Sequence, residues 1–143
     1  MEITFLTDFT IGSFNTLNLN LISNNEQKKD FQKLASIIIT ENFDIIALQE
    51  TVAEIAIKQL MRYLPHNWSY CWGQEPSRSS DGKKNSAKGF TFIWNTSRFN
   101  ESSKDSRPQF EPVKGTIVRR PYLGRFIPVN GPFIEIRLIR VCL

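Results

Sequence analysis

Two short segments constrain the fold of this chain more than any other feature of its sequence. SFNTLNL (Ser13–Leu19) and DIIALQE (Asp44–Glu50) both have the apolar character of buried β-strands. Each carries one polar residue that an apolar core does not need, Asn15 in the first and Glu50 at the last position of the second. Carboxylate and amide oxygens on neighbouring strands are suitable ligands for a hard cation. The two segments therefore predict a metal-binding site at the ends of two adjacent strands.

The first half of the chain alternates strands with helices. A strand-like run over Thr10–Leu21 precedes a capping-box pattern at Ser23–Glu26, which predicts the start of a helix. The Asp44–Gln49 strand is followed by a second capping-box pattern at Thr51–Glu54 and a helical period that Pro65 ends. The carboxylate at the end of the second strand thus stands at a strand-to-helix junction, where α/β proteins place their chemistry.

The second half of the chain is rich in short β-runs separated by turn residues. The predicted strands are Trp68–Trp72, Gly89–Trp94, Phe110–Val118, Arg125–Val129 and Phe133–Val141. Two polar stretches, Gln74–Lys88 and Asn95–Gln109, are predicted loops. The pattern indicates an α/β fold with helices early and antiparallel strands late.

Charge is distributed unevenly along the 143 residues. Residues 1–65 hold eight acidic and five basic side chains, a net charge of −3, whereas residues 66–143 hold six and thirteen, a net charge of +7. A basic half suits a polyanion such as nucleic acid, and the alternative is a solvated, Arg-rich surface. No apolar run approaches the roughly 18 residues of a membrane span, and the N-terminus lacks a basic signal region. We therefore expect a cytoplasmic protein that does not enter membranes.

Four segments taken in order resemble the endonuclease/exonuclease/phosphatase superfamily, whose best-known fold is that of deoxyribonuclease I. They are SFNTLNL, DIIALQE, KGFTFIWN (Lys88–Asn95) and RRPYLGRF (Arg119–Phe126). The resemblance implies an α/β fold, a deoxyribonuclease I-like β-sandwich flanked by helices. It also implies a hydrolase of phosphodiesters, an endonuclease or exonuclease that depends on a divalent metal.

The resemblance assigns roles to five residues. It places Asn15 and Glu50 at the metal, Mg²⁺ or another divalent cation such as Mn²⁺ or Ca²⁺, and at the scissile phosphate. Arg119 is expected to hold the phosphates of nucleic acid, DNA in preference to RNA, which makes Asn15, Glu50 and Arg119 the predicted catalytic set. Tyr122 and Arg125 are expected to bind substrate with Arg119.

Each of these roles has a structural alternative. Glu50 could be a first-turn residue of the following helix, stabilised there by the helix dipole. Asn15 could be a hydrogen-bonding residue at a strand end, and Arg119 could be surface charge. Tyr122 could belong to the core.

Parts of the family pattern are missing from this sequence. The family carries a histidine after the Arg-Pro segment and an aspartate–histidine pair further on, which supply acid–base catalysis. Here the one histidine, His66, lies outside every motif, and Cys142 stands where the first catalytic histidine is expected. Lys88 stands where relatives often carry a glutamate. We therefore expect residues 1–143 to form a single partial domain, the N-terminal half of the fold truncated at its C-terminus, with an exposed sheet face through which it self-associates.

The sequence thus favours Mg²⁺-dependent phosphodiester hydrolysis as the function, in a chain that lacks the later catalytic residues. Two alternatives stay open. One is a non-catalytic remnant that binds nucleic acid through its basic half, and the other is a phosphatase of the same superfamily that acts on a small phosphoester.

Overall fold

Two β-sheets and two helices make up the described part of the protein. The structure, a computed structural model, describes residues 8–20, 30–74, 89–102, 109–110, 121–131 and 134–140. The elements are β1 (Ile11–Leu19), α1 (Phe31–Thr40), β2 (Ile45–Thr51), α2 (Glu54–Met61), β3 (Trp68–Gln74), β4 (Gly89–Asn95), β5 (Phe99–Glu101), β6 (Gln109–Phe110), β7 (Tyr122–Pro128) and β8 (Ile136–Arg140). Neither helix is long and apolar enough to cross a membrane.

The first sheet has the strand order β1-β2-β4-β3. β1 and β2 are parallel, and the crossover that parallel neighbours need passes through α1. β4 then pairs antiparallel with both β2 and β3. β2 and β4 are therefore the inner strands, which explains why neither has the alternating polar pattern of a half-exposed strand.

The second sheet is built around β7. β5 pairs with the last residues of β7 and β6 with its first two, while β8 pairs along Tyr122–Phe126. Tyr122 is bonded to both β6 and β8, so these two strands lie on opposite edges of β7. β5 lies within Asn95–Gln109, which the sequence pattern had indicated as a loop.

The first sheet lies between the helices and the second sheet. One core joins it to α1 and α2, and its fully buried members include Ile38, Ile46, Leu48, Ile57, Leu60 and Ile93. A second core joins it to β5, β7 and β8, and includes Ile45, Phe90, Phe92, Trp94, Phe99, Tyr122 and Phe126. A β-sandwich flanked by helices is thus confirmed.

One expectation about this sandwich is wrong. The inner face of the first sheet is not bare, because β7 of the same chain covers it: Phe92 exposes 1% of its surface and packs against Tyr122 and Phe126. The inner face at β4 is therefore not available for the self-association that the sequence predicts. Exposed apolar residues do lie on the edge strand β1, where Ile11 is 40% exposed.

The helix boundaries differ from those that the capping patterns predict. α1 begins after Asp30, whose Oδ1 accepts a hydrogen bond from the Lys33 N–H at 2.9 Å, and the Ser23–Glu26 pattern lies outside the described residues. Thr51 does not cap α2: it ends β2 and its hydroxyl hydrogen-bonds that of Thr91 at 3.0 Å. Ala53 takes the cap position without a side-chain bond. The second capping-box prediction is wrong because a contact between strands uses the threonine.

Candidate functional site

The carboxyl ends of β1 and β2 lie side by side at one end of the first sheet. Asn15 is in parallel register with Gln49, so Glu50 is one residue beyond the partner of Asn15. β4 runs in the opposite direction, and its Phe90 pairs with Gln49. The beginning of β4 therefore lies at this same end, which we call the Asn15–Glu50 end.

The second sheet reaches the Asn15–Glu50 end through Tyr122. The Tyr122 ring stacks on Phe92 with a centroid distance of 5.5 Å, and on Phe90 at 6.1 Å. β7 therefore begins at the Asn15–Glu50 end, and β8 finishes there because Tyr122 pairs with Arg140. The predicted residues Arg119 and Cys142 lie outside the described residues, one shortly before β7 and one shortly after β8.

Glu50 has a backbone conformation that is rare for a residue with a side chain. Its φ is 59°, in the left-handed region, although it lies within β2. The structure thus excludes the alternative that Glu50 belongs to the first turn of α2, since that helix begins at Glu54. Left-handed residues inside a strand persist only where surrounding contacts hold them, and such residues concentrate at functional sites.

The neighbouring strand is irregular at the same place. Leu17 and Asn18 have φ values of 49° and 63°, and the register with β2 shifts between Asn15 and Leu19. A bulge of this kind re-aims the side chains beside it. β2 therefore leaves regular geometry at Glu50 itself, and β1 leaves it directly after Asn15.

Asn15 is exposed, and one lone pair of its amide oxygen is used locally. Its Oδ1 accepts a hydrogen bond from the Leu17 N–H at 2.9 Å, which turns the side chain along the bulge. An amide oxygen has a second lone pair, and the NH₂ group adds two donors. The side chain keeps the capacity to contact a cation or a phosphate oxygen. The alternative, that Asn15 is a strand-end hydrogen-bonding residue, describes this one contact correctly.

A set of hydrogen bonds holds the backbone around Glu50. Thr16 Oγ1 lies 2.6 Å from the carbonyl oxygen of Gln49 and 3.3 Å from that of Glu50. The Gln49 side chain donates to Ser13 Oγ at 2.6 Å, and Trp72 Nε1 donates to the Thr51 carbonyl at 3.2 Å. The sequence reasoning missed these residues, and the only signal for Thr16 was its place directly after Asn15.

Tyr122 lies in the core and not on a substrate-binding surface. It exposes 1% of its surface, and its hydroxyl donates to Cys71 Sγ at 3.7 Å. Burial raises the pKa of Tyr122 above its ordinary range and that of the Cys71 thiol to about 12. The predicted substrate-binding role of Tyr122 is therefore corrected to a role in the core. The Tyr122 hydroxyl and the Cys71 thiol both stay uncharged there, behind the Asn15–Glu50 end.

Arg125 is not brought to the Asn15–Glu50 end either. Its sequence neighbours Gly124 and Phe126 both face Phe92, so Arg125 points away from the first sheet. It lies near Glu135, whose pKa is lowered mainly by the hydrogen bonds from Ser102 and Arg137 and less by the charges of Arg137 and Arg125. A contact of Arg125 with substrate would need a ligand that extends over the outer face of the second sheet.

The donor set at the Asn15–Glu50 end fits one kind of metal site. The described residues contain no group of three His, Cys, Asp or Glu side chains that could enclose a cation. One carboxylate and one amide oxygen match a Mg²⁺ ion that keeps several waters and binds phosphate oxygens in the remaining positions. The described residues therefore fit an open magnesium site and do not fit a closed cage of protein ligands.

Comparison with known proteins relates this chain to solved structures only. No family model and no curated protein matches the sequence. An endonuclease/exonuclease/phosphatase family protein from Bacteroides thetaiotaomicron matches in structure with a TM-score of 0.64 and 19% identity, over 92% of this chain and 48% of that one. The mannosyl-6-phosphatase Bt3783 of the same organism matches with a TM-score of 0.63 and 18% identity, over 92% of this chain and 50% of that one.

These matches confirm the fold that the four segments predicted. The chain spans about half the length of both solved structures. It has the fold of endonuclease/exonuclease/phosphatase family proteins over that half.

Proposed function

We propose that the Asn15–Glu50 end is the metal and phosphate side of a phosphoester hydrolase site, and that its substrate is a phosphodiester in DNA. The observation that carries the proposal is the pairing of the two strand ends, with Asn15 in register with Gln49 and Glu50 next to it in a left-handed conformation. The fold shared with endonuclease/exonuclease/phosphatase proteins supports hydrolysis as the class of reaction.

A bound Mg²⁺, or Mn²⁺ or Ca²⁺ in its place, would neutralise and polarise the phosphate oxygens. In the proposed site the Glu50 carboxylate holds the cation and the Asn15 side chain binds the cation or a phosphate oxygen. Arg119 lies outside the described residues and is the proposed phosphate ligand, because a guanidinium can donate two parallel hydrogen bonds to phosphate oxygens. These groups orient the phosphate and stabilise its charge.

Proton transfer requires groups that the described residues do not place at this end. His66 follows α2 at the start of β3, and β3 reaches the Asn15–Glu50 end only at its other terminus. We therefore expect this chain alone to bind Mg²⁺ and nucleic acid, and to hydrolyse phosphodiesters slowly.

The test removes the charge of one carboxylate. Glu50→Gln should weaken Mg²⁺ binding measured by calorimetry, and any Mg²⁺-dependent nicking of supercoiled plasmid by the unmodified chain should be lost with it. Glu54→Gln is the matched control, because Glu54 lies in the first turn of α2 and bonds the Tyr70 hydroxyl at 3.0 Å. Equal Mg²⁺ affinity in the Glu50→Gln variant and the unmodified chain would refute the proposal.

Two other candidate functions are separated by the choice of substrate. A phosphatase for small phosphoesters is favoured by the structural match to a mannosyl-6-phosphatase, and release of phosphate from sugar phosphates without plasmid nicking would support it. A non-catalytic nucleic-acid-binding remnant is favoured by the net charge of +7 over residues 66–143. Salt-dependent DNA binding that survives Glu50→Gln, in a chain without nicking activity, would support that function.

A further inference from the structure

The Thr16 hydroxyl contacts two successive carbonyl oxygens of the neighbouring strand. Thr16 Oγ1 lies 2.6 Å from the Gln49 oxygen and 3.3 Å from the Glu50 oxygen. In an extended strand successive carbonyls point to opposite edges, so one hydroxyl cannot reach both. It reaches both here because Glu50 has left the extended conformation and has a φ of 59°.

This conformation also decides where the Glu50 side chain goes. Successive side chains of a regular strand point to opposite faces, so an extended Glu50 would share the face of Leu48, which is fully buried under the helices. The left-handed backbone of Glu50 breaks that alternation one residue before the end of β2. A carboxylate directed under the helices would meet apolar groups, which do not stabilise a charge.

We propose that Thr16 is a positioning residue that holds the Glu50 carboxylate toward the proposed cation site. The inference rests on the proposed function and adds a residue to it. Thr16 acts through the backbone of Glu50, because its hydroxyl contacts the carbonyl oxygens of both Gln49 and Glu50. A residue of the same shape without the hydroxyl would leave the left-handed turn without this contact.

The test compares variants that differ in the hydroxyl. Thr16→Val should weaken Mg²⁺ binding in calorimetry by roughly ten- to a hundredfold, the usual effect of removing a group that orients a metal ligand. Thr16→Ser should keep the affinity within about threefold, because serine restores the donor. Thr16→Ala serves as a second hydroxyl-free variant if the valine side chain does not fit, and it should bind Mg²⁺ at least tenfold more weakly than Thr16→Ser.

A matched control separates positioning from stability. Thr96 Oγ1 donates to the Asn67 carbonyl at 2.9 Å, which is the same type of bond at the other end of β4. Thr96→Val should lower the urea midpoint about as much as Thr16→Val and leave Mg²⁺ affinity unchanged.

The two proposals fail in different ways. If Glu50→Gln leaves Mg²⁺ affinity unchanged, the proposed function is wrong. If Glu50→Gln weakens Mg²⁺ binding while Thr16→Val and Thr16→Ala bind as Thr16→Ser does, only the role of Thr16 is overturned.

Discussion

Arg98 binds the carboxylate of Asp44 at the end of the first sheet opposite to Asn15 and Glu50. Its Nε donates to Asp44 Oδ1 at 2.9 Å, and the other carboxylate oxygen accepts the Thr10 N–H at 2.9 Å. Arg98 Nη2 also donates to the carbonyl of Asp8. One side chain therefore joins the turn after β4 to the residues that begin β1 and β2.

Removal of this ion pair should lower stability without changing the candidate site. The Asp44 side chain is 8% exposed, so Arg98→Ala leaves a nearly buried carboxylate without its cation, at a cost of about 1–3 kcal/mol in the free energy of unfolding. Urea denaturation measures this loss. The exposed pair of Arg137 with Glu135 is the matched control, and Arg137→Ala should change the midpoint much less. An equal effect of the two variants would contradict the structural role of Arg98.

Gly89 should be intolerant of any side chain. A Cβ atom at Gly89 would overlap the backbone oxygen of Thr51 and lie 2.7 Å from Trp72 Nε1, the group that bonds the same oxygen. The Thr51 carbonyl and the Trp72 ring, which lie next to Glu50, would have to move. Gly89→Ala should therefore lower both the urea midpoint of unfolding and the Mg²⁺ affinity.

Gly12→Ala provides the comparison for that substitution. A Cβ at Gly12 would lie 2.9 Å from a ring carbon of Phe43, whereas a Cβ at Gly89 would lie 2.2 Å from the Thr51 backbone oxygen. Its loss of stability in urea should therefore be smaller, and its Mg²⁺ affinity should be unchanged. The steric argument fails if Gly12→Ala is the more damaging of the two.

Alkaline pH should destabilise the protein through Cys71. Burial raises the pKa of this thiol from 9.0 to about 12, so the folded chain keeps a proton that the unfolded chain releases. The free energy of unfolding therefore has its full thiol contribution below pH 9 and loses it as the pH rises toward 12. Urea titrations at pH 8 and pH 11 should show a smaller decline for Cys71→Ala than for the unmodified chain. Equal declines would show that the thiol does not contribute.

Tyr122 should affect stability and not the binding of nucleic acid. Tyr122→Ala removes a ring that stacks on Phe92 and Phe90 and should cost roughly 3–5 kcal/mol, whereas Tyr122→Phe keeps the ring and should cost far less. Fluorescence anisotropy with labelled DNA should give the same Kd for Tyr122→Phe and the unmodified chain, and a weaker one for Arg119→Ala. Weaker binding by Tyr122→Phe at unchanged stability would restore the substrate-binding role.

The strands of the first sheet could be predicted because their signal is local. The runs around Ile46 and Phe92 are apolar over most of their length, whereas the run around Phe14 is half polar and largely exposed. Glu50 lies near the end of β2, and Asn15 lies where the regular pairing of β1 with β2 ends. The pairing of those strand ends followed from the rule that parallel neighbours finish at one edge.

Features that depend on distant contacts could not be predicted. Thr51 has the right spacing for a helix cap, but Thr91 on β4 takes its hydroxyl. Tyrosine is common both in binding sites and in protein cores. Only the packing of the second sheet on the first shows that Tyr122 belongs to the core. The role of Thr16 depends on the left-handed backbone of Glu50, which has no sequence signature because glutamate rarely adopts it.

The central position of β2 has a consequence for the kinetics of folding. Its two partners, β1 and β4, are far from it in sequence. Ile45 pairs with Ile11 on one side and with Trp94 on the other. Each pairing must close a long loop before any contact compensates the lost chain entropy, whereas α1 and α2 form from neighbouring residues. We expect stopped-flow refolding to show helical signal early and the tryptophan fluorescence change late, since Trp68, Trp72 and Trp94 all lie on the paired strands β3 and β4. A nascent chain would then hold its helices before the strand ends that carry Asn15 and Glu50 have met.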